Sequence, residues 1–293
     1  MRRDDAVSSP TPEALPSVAD GADLGTLFEL EMLGGPIEQR FRRMRPEVEA
    51  MPWGTLDLSG ASPQQLILAR KAWTSAAYQE FRTGAACAAT LQALIQVQAP
   101  IDLIAQACRF PLDEMVHVEL CARMAMEFGG GTEIRFEPEH MIVDVEPHRS
   151  PLERAGDVIV RFFCVGETLS IPLLRGTWKA AEQPLPRAVL GRIVKDEAAH
   201  GVFGFWFLDW AAPRLTPDSR AYLAQRANHA IDDVGAIWRR VASQAPRKKV
   251  PGDALAWMET GAYLELAQRS MNDLVIGPLR ERGIMVKDAP SLT

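Results

Sequence analysis

One five-residue pattern occurs twice, and it constrains the chain more than any other feature: Asp113-Glu114-Met115-Val116-His117 and Asp196-Glu197-Ala198-Ala199-His200. Residues three apart lie on the same face of a helix, so each copy aims a carboxylate and an imidazole at one point. Two further glutamates, Glu80 and Glu167, sit singly inside apolar helical stretches. A buried ionised carboxylate costs several kcal/mol unless it is paired or coordinated. Four helices supplying Glu, Glu-x-x-His, Glu and Glu-x-x-His form the inward-facing ligand set of a carboxylate-bridged two-metal site. Four glutamate charges match those of two divalent cations.

Helix signals place these residues. Ser62-Pro63-Gln64-Gln65 predicts a capped start, with serine as cap, proline in the first turn and glutamine at the capping-box position. That helix should run to about Val97. The next covers about Ile101 to Phe128, stops at Gly129-Gly130-Gly131 and is expected to kink at Pro111. Residues 132–149 lose helical periodicity and read as a short strand pair or an extended crossover. Ser150-Pro151-Leu152-Glu153 opens a third helix to about Leu174. After a loop around Pro184 and Pro186, a fourth runs from about Arg187 to Ala211. A fifth begins at Thr216-Pro217 and ends near Ala242, and a sixth spans Asp253 to about Asp273. Glu80 lies 17 residues before its helix ends and Glu114 lies 13 into the next. At 1.5 Å per residue these depths are about 25 and 20 Å, close enough to share a layer.

The expected fold is therefore all-α: a ferritin-like four-helix bundle with one long crossover over residues 61–212. An arm (1–60) with one short helix precedes it, its first 20 residues disordered, and C-terminal helices (213–293) pack on it. Of the other histidines, His140 and His148 read as polar loop residues and His229 as a surface or packing residue.

A net charge of -6 argues against a nucleic-acid surface. The one basic cluster, Arg247-Lys248-Lys249, reads as solvated loop. Cys87, Cys108, Cys121 and Cys164 lie in apolar helical segments without C-x-x-C spacing, which suits buried free thiols in a reducing compartment. With no apolar leader and no 18-residue uncharged apolar run, the expectation is a cytoplasmic protein with no membrane span.

Over residues 62–212 the chain resembles the ferritin-like di-iron carboxylate superfamily, the doubled D-E-x-x-H being the most specific part of the likeness. The resemblance implies that Glu80, Glu114 and His117 serve mainly one iron, and Glu167, Glu197 and His200 the other, with Glu114 and Glu197 as bridges. Manganese is the alternative metal. Asp113 and Asp196 would each accept a hydrogen bond from a ligand histidine, fixing its tautomer.

The family's branches differ at neighbouring positions. Ribonucleotide reductase small subunits need a radical tyrosine where this chain has Cys121, and its tyrosines are only Tyr78, Tyr222 and Tyr263. Cysteine there resembles methane monooxygenase hydroxylase, although Ile171 stands where those enzymes carry threonine. Ile193 replaces the extra histidine of the arylamine N-oxygenases. The resemblance implies an O2-dependent oxidoreductase that hydroxylates, N-oxygenates or desaturates a small, largely apolar substrate, fed by a reductase or ferredoxin. The alternative is a ferroxidase or iron-binding protein with no organic substrate. A homodimer is a further expectation. Gly84, Gly166, Gly201 and Gly204 are expected to leave space near the ligands, and Trp73, Phe81, Gly84, Cys121, Phe163, Gly166 and Phe203 are candidates to line a pocket there or to serve as plain core.

Overall fold

The computed structural model describes residues 26–244 and 258–291. All the regular elements described are helical, and the one isolated bridge joins Leu27 to Arg135. In the arm, α1 (Gly35–Met44) and the single turn α2 (Pro46–Glu49) precede the long helices α3 (Pro63–Gln96) and α4 (Ile101–Glu127). The capping box at Ser62 forms as expected, its hydroxyl accepting from the Gln65 amide. Helix α4 continues unbroken through Pro111. It ends where Gly129 and Gly130 take φ of 102° and 114°, left-handed values that favour glycine.

The crossover contains no strand pair. It runs extended along α3, with one 3-10 turn at Pro138–Met141, and Tyr78 of α3 bonds the Glu137 amide through its hydroxyl. A second capping box, Ser150 with Glu153, opens α5 (Pro151–Ile159). The chain then widens into a π-helix over Val160–Glu167 before α6 (Thr168–Ala180). Helix α7 (Pro184–Ala211) begins earlier than expected, because both prolines fit its first turn, where no amide donor is needed. Helices α8 (Pro217–Gln244), α9 (Thr260–Ser270) and α10 (Gly277–Glu281) pack on the bundle, with a second π stretch at Met271–Ile276. No described helix is long and apolar enough to cross a membrane. The expected disordered N-terminus, the Arg247–Lys249 cluster and the start at Asp253 lie outside the described residues.

The arm is strapped to the body. Arg45 is fully buried and bonds Glu49 and Glu119, each at 2.7 Å, and Arg123 of α4 stacks over Trp53. The Gly54 amide donates to Glu127, and the Asp57 amide to the Gln183 side chain.

Two apolar clusters fill the bundle. One includes Trp73, Ala77, Leu120, Cys121, Leu190 and Ile193, and the other Cys87, Phe110, Phe163, Phe203 and Phe207. On α3, α4 and α7, Glu80, Glu114 with His117, and Glu197 with His200 fall where the helices pass from one cluster to the other. The polar side chains thus form a thin layer across an otherwise apolar interior.

Candidate metal centre

Each motif histidine turns Nδ1 into this layer. His117 Nδ1 lies 3.2 Å from Glu197 Oε1, 3.6 Å from Glu114 Oε2 and 3.7 Å from Glu80 Oε2. His200 Nδ1 lies 3.1 Å from Glu114 Oε1, 3.2 Å from Glu197 Oε2 and 3.8 Å from Glu167 Oε2. Glu114 and Glu197 therefore each offer one oxygen to either side. The result is two clusters, Glu80-Glu114-His117-Glu197 and Glu114-Glu167-Glu197-His200, in which the donor atoms lie within 4.8 Å of one another. The imidazole centroids are 6.4 Å apart.

These donors fit a pair of divalent cations. Both Glu114 oxygens, Glu197 Oε2 and the Nδ1 atoms of His117 and His200 are buried with no hydrogen-bond partner among the described residues. An unsatisfied buried polar atom costs about 1–3 kcal/mol, so five in one layer call for a common partner. Two ligands about 2.1 Å from one octahedral cation, at right angles, lie about 3 Å apart, near the shorter separations seen here. Mixed carboxylate and imidazole donors suit iron, manganese or zinc.

The electrostatics follow from the crowding. Burial pushes the Glu80 carboxyl up to about 8, against the pull of His117. Burial and then the neighbouring Glu197 drive Glu167 well above the usual carboxylate range. For Glu114 and Glu197, burial also acts upward, but the two imidazoles outweigh it and hold both below the ordinary value. Burial opposes charge on the histidines; the carboxylates around them overcome it, with Asp196 foremost for His117 and Asp113 for His200, and raise both rings strongly. Cations entering the layer must displace these protons.

Behind the histidines the motifs cross. Asp196 of the second motif accepts from His117 Nε2 at 3.3 Å, whereas Asp113 of the first lies 3.7 Å from His200 Nε2, an ion-pair contact longer than a hydrogen bond. Sequence reasoning missed the next layer out. Arg109 donates to Asp113 at 3.0 Å and reaches Asp196 at 3.7 Å, and Arg192 donates to Asp196 at 2.6 Å. Both arginines stand four residues before their aspartates, so the repeated unit is R-x-x-x-D-E-x-x-H. That longer repeat was the available signal.

The expected pocket residues fall in different places. Trp73 and Cys121 share one apolar cluster. Phe163 and Phe203 share the other with Phe110, whose ring packs 4.2 Å from that of His200. Phe81 is half-buried, packing edge-on against Phe28 and Phe136, and helps line a cavity of about 690 Å³ between the arm and α4. The glycines were expected to leave space; instead they allow close packing. A Cβ on Gly84 would meet Met115, one on Gly201 would meet Ile171, and one on Gly204 would meet the Cys164 side chain and backbone. Gly166 is half-buried at the end of the π stretch. Cys87, Cys121 and Cys164 are buried free thiols as expected, but Cys108 is exposed. His140 and His148 pair with Glu137 and Glu146 at the surface, and His229 lines an open groove beside α8.

Glu167 ends the π-helix with Oε2 3.8 Å from His200 Nδ1, and the Thr168 hydroxyl lies 2.9 Å from both the Phe163 and Gly201 carbonyls, tying the stretch to α7. Such insertions frequently mark functional sites.

Compared with family models, curated proteins and solved structures, the chain gave no match. The all-helical bundle and its two clusters able to bind a pair of metal ions therefore rest on the geometry alone.

Proposed function

We propose that this chain is a ferritin-like di-metal oxidoreductase that holds two iron ions and uses O2 to oxidise a small, largely apolar organic molecule. One observation carries the reading: Glu114 and Glu197 each present one oxygen to His117 and the other to His200. Two hairpins of long helices joined by a crossover support the ferritin-like assignment. Bound ferrous ions would supply redox chemistry toward O2 that amino-acid side chains lack.

The chain's own residues do the rest. Glu114 and Glu197, common to both donor clusters, would be shared by the two ions, and Glu80 and Glu167 would each hold one of them. Asp196 holds His117 in the tautomer that leaves Nδ1 free to bind. Phe110, Phe163 and Phe203 keep water from the His200 side. Glu80, with 16% of its side chain exposed, is the least buried of the six and marks the side from which protons and small molecules reach the layer. Repeated turnover requires an external electron donor such as a reductase or ferredoxin. Manganese suits the same donors.

A ferroxidase with no organic substrate is the second reading, favoured by the dense packing of Phe163, Phe203 and the glycines around the ligands. Anaerobic loading with Fe2+ followed by measured O2 uptake tests both. Uptake accelerated by an apolar compound, with an oxidised product, supports the oxygenase. Uptake renewed by each further addition of Fe2+, and unchanged by any organic compound, supports the ferroxidase. An iron-loaded chain that takes up no O2 contradicts both.

A further inference from the structure

The charge balance of the whole site involves residues outside the ligand set. The four glutamates with Asp113 and Asp196 make six carboxylates, whereas two divalent ions carry four positive charges. The two charges left over are matched by two guanidinium groups, Arg109 and Arg192, each four residues before its aspartate and directly on it. Arg109 also spans the two motifs by reaching Asp196. Arg192, only 13% exposed, has a second partner: Glu47 in the single-turn helix of the arm, itself half exposed. A continuous polar chain therefore runs from the arm through Glu47, Arg192 and Asp196 to Nε2 of His117.

We propose that Arg109 and Arg192 are positioning residues that set the charge and ligand basicity of the metal centre, and that Glu47 carries the arm's position into that centre through Arg192. The inference deepens the function proposed above and rests on its di-iron reading. Two effects act in one direction. A guanidinium on the aspartate draws electron density away from the aspartate–histidine bond and adds positive charge near the ions; both favour the reduced pair. Removing it leaves a stronger acceptor on the histidine and favours the oxidised pair. Glu47 divides Arg192 between two carboxylates, so its loss acts with the opposite sign.

The test is the midpoint potential of the iron-loaded full chain, with iron content measured alongside. Arg192→Gln and Arg109→Gln are expected to shift the midpoint downward, with Arg192→Lys close to wild type and Glu47→Gln shifted upward. The Glu47→Gln shift should shrink as salt rises, because that pair reaches the surface. Arg109 is 63% exposed, so its replacement leaves the fold intact even if Arg192→Gln does not fold. Loss of iron from Arg192→Gln that Arg192→Lys restores also supports the role. Two bound irons at an unchanged potential in Arg109→Gln and Arg192→Gln overturn it. A wild-type chain that binds no iron instead overturns the proposed function itself.

Discussion

Asp196 Oδ2 lies 3.3 Å from Nε2 of His117, so the aspartate of the second motif holds the histidine of the first. That bond leaves Nδ1 of His117 facing Glu80, Glu114 and Glu197. The two copies therefore act as one interlocked unit on α4 and α7, and the ligand geometry depends on how those helices pack.

Loss of a shared ligand should cost more metal than loss of a terminal one. Glu80→Ala and Glu167→Ala each remove one donor from one cluster and are expected to lower metal content sharply, chiefly at that cluster. Glu114→Ala and Glu197→Ala each remove a donor from both and should abolish paired binding. Metal analysis after equilibrium dialysis distinguishes the classes; near-wild-type loading of Glu167→Ala contradicts its place as a ligand.

The metal-free chain should lose stability as pH rises from about 5 to 8. Glu80 (folded value about 8), Glu167, His117 and His200 all have folded values above their ordinary ones, so across this window the folded chain holds more protons than the unfolded chain. Stability falls with pH wherever that is so. The Tm measured in chelator is expected to drop over this range, and saturating divalent metal should flatten or reverse the slope. A metal-free Tm that rises steadily to pH 8 would be inconsistent with this crowding.

Gly204 lets α7 approach the π stretch. A Cβ there would stand 2.9 Å from the Cys164 backbone nitrogen, and no side-chain rotation relieves a backbone contact. Gly204→Ala is expected to cost about 1–3 kcal/mol, the usual range for overpacking. Urea unfolding measures it, and an unchanged midpoint would show that the stretch gives way freely.

Arg45 has no exposed side-chain surface and joins Glu49 to Glu119. Arg45→Met strands the largely buried Glu119 with only a 3.5 Å contact to Arg123. Breaking a fully buried pair costs about 3–5 kcal/mol; with both glutamates partly exposed, about 2–4 kcal/mol is expected. Faster cleavage of the arm by protease should accompany that loss, with metal content retained.

Much of the site was legible because its chemistry is local. Glu-x-x-His on a helix needs no tertiary knowledge to converge, and Ser62 and Ser150 announce their helices through capping boxes formed within four residues. The π-helix before Glu167 was not legible, because Ile159 to Glu167 reads as ordinary helix and the extra residue per turn is fixed by contacts with α7 such as Thr168 to Gly201. The glycines misled for a related reason: a missing Cβ signals close approach, and Met115, Ile171 and Cys164 occupy the room it makes. The arm's strap depends on pairs such as Arg45 with Glu119, 74 residues apart, which no local pattern encodes.

Equilibrium titration of the metal-free full chain with Mn2+ or anaerobic Fe2+ is the most direct measurement. Two ions per chain are expected, with Glu114→Ala losing both. One ion or none in the wild type, or two ions retained by Glu114→Ala, would contradict a centre built on shared carboxylates.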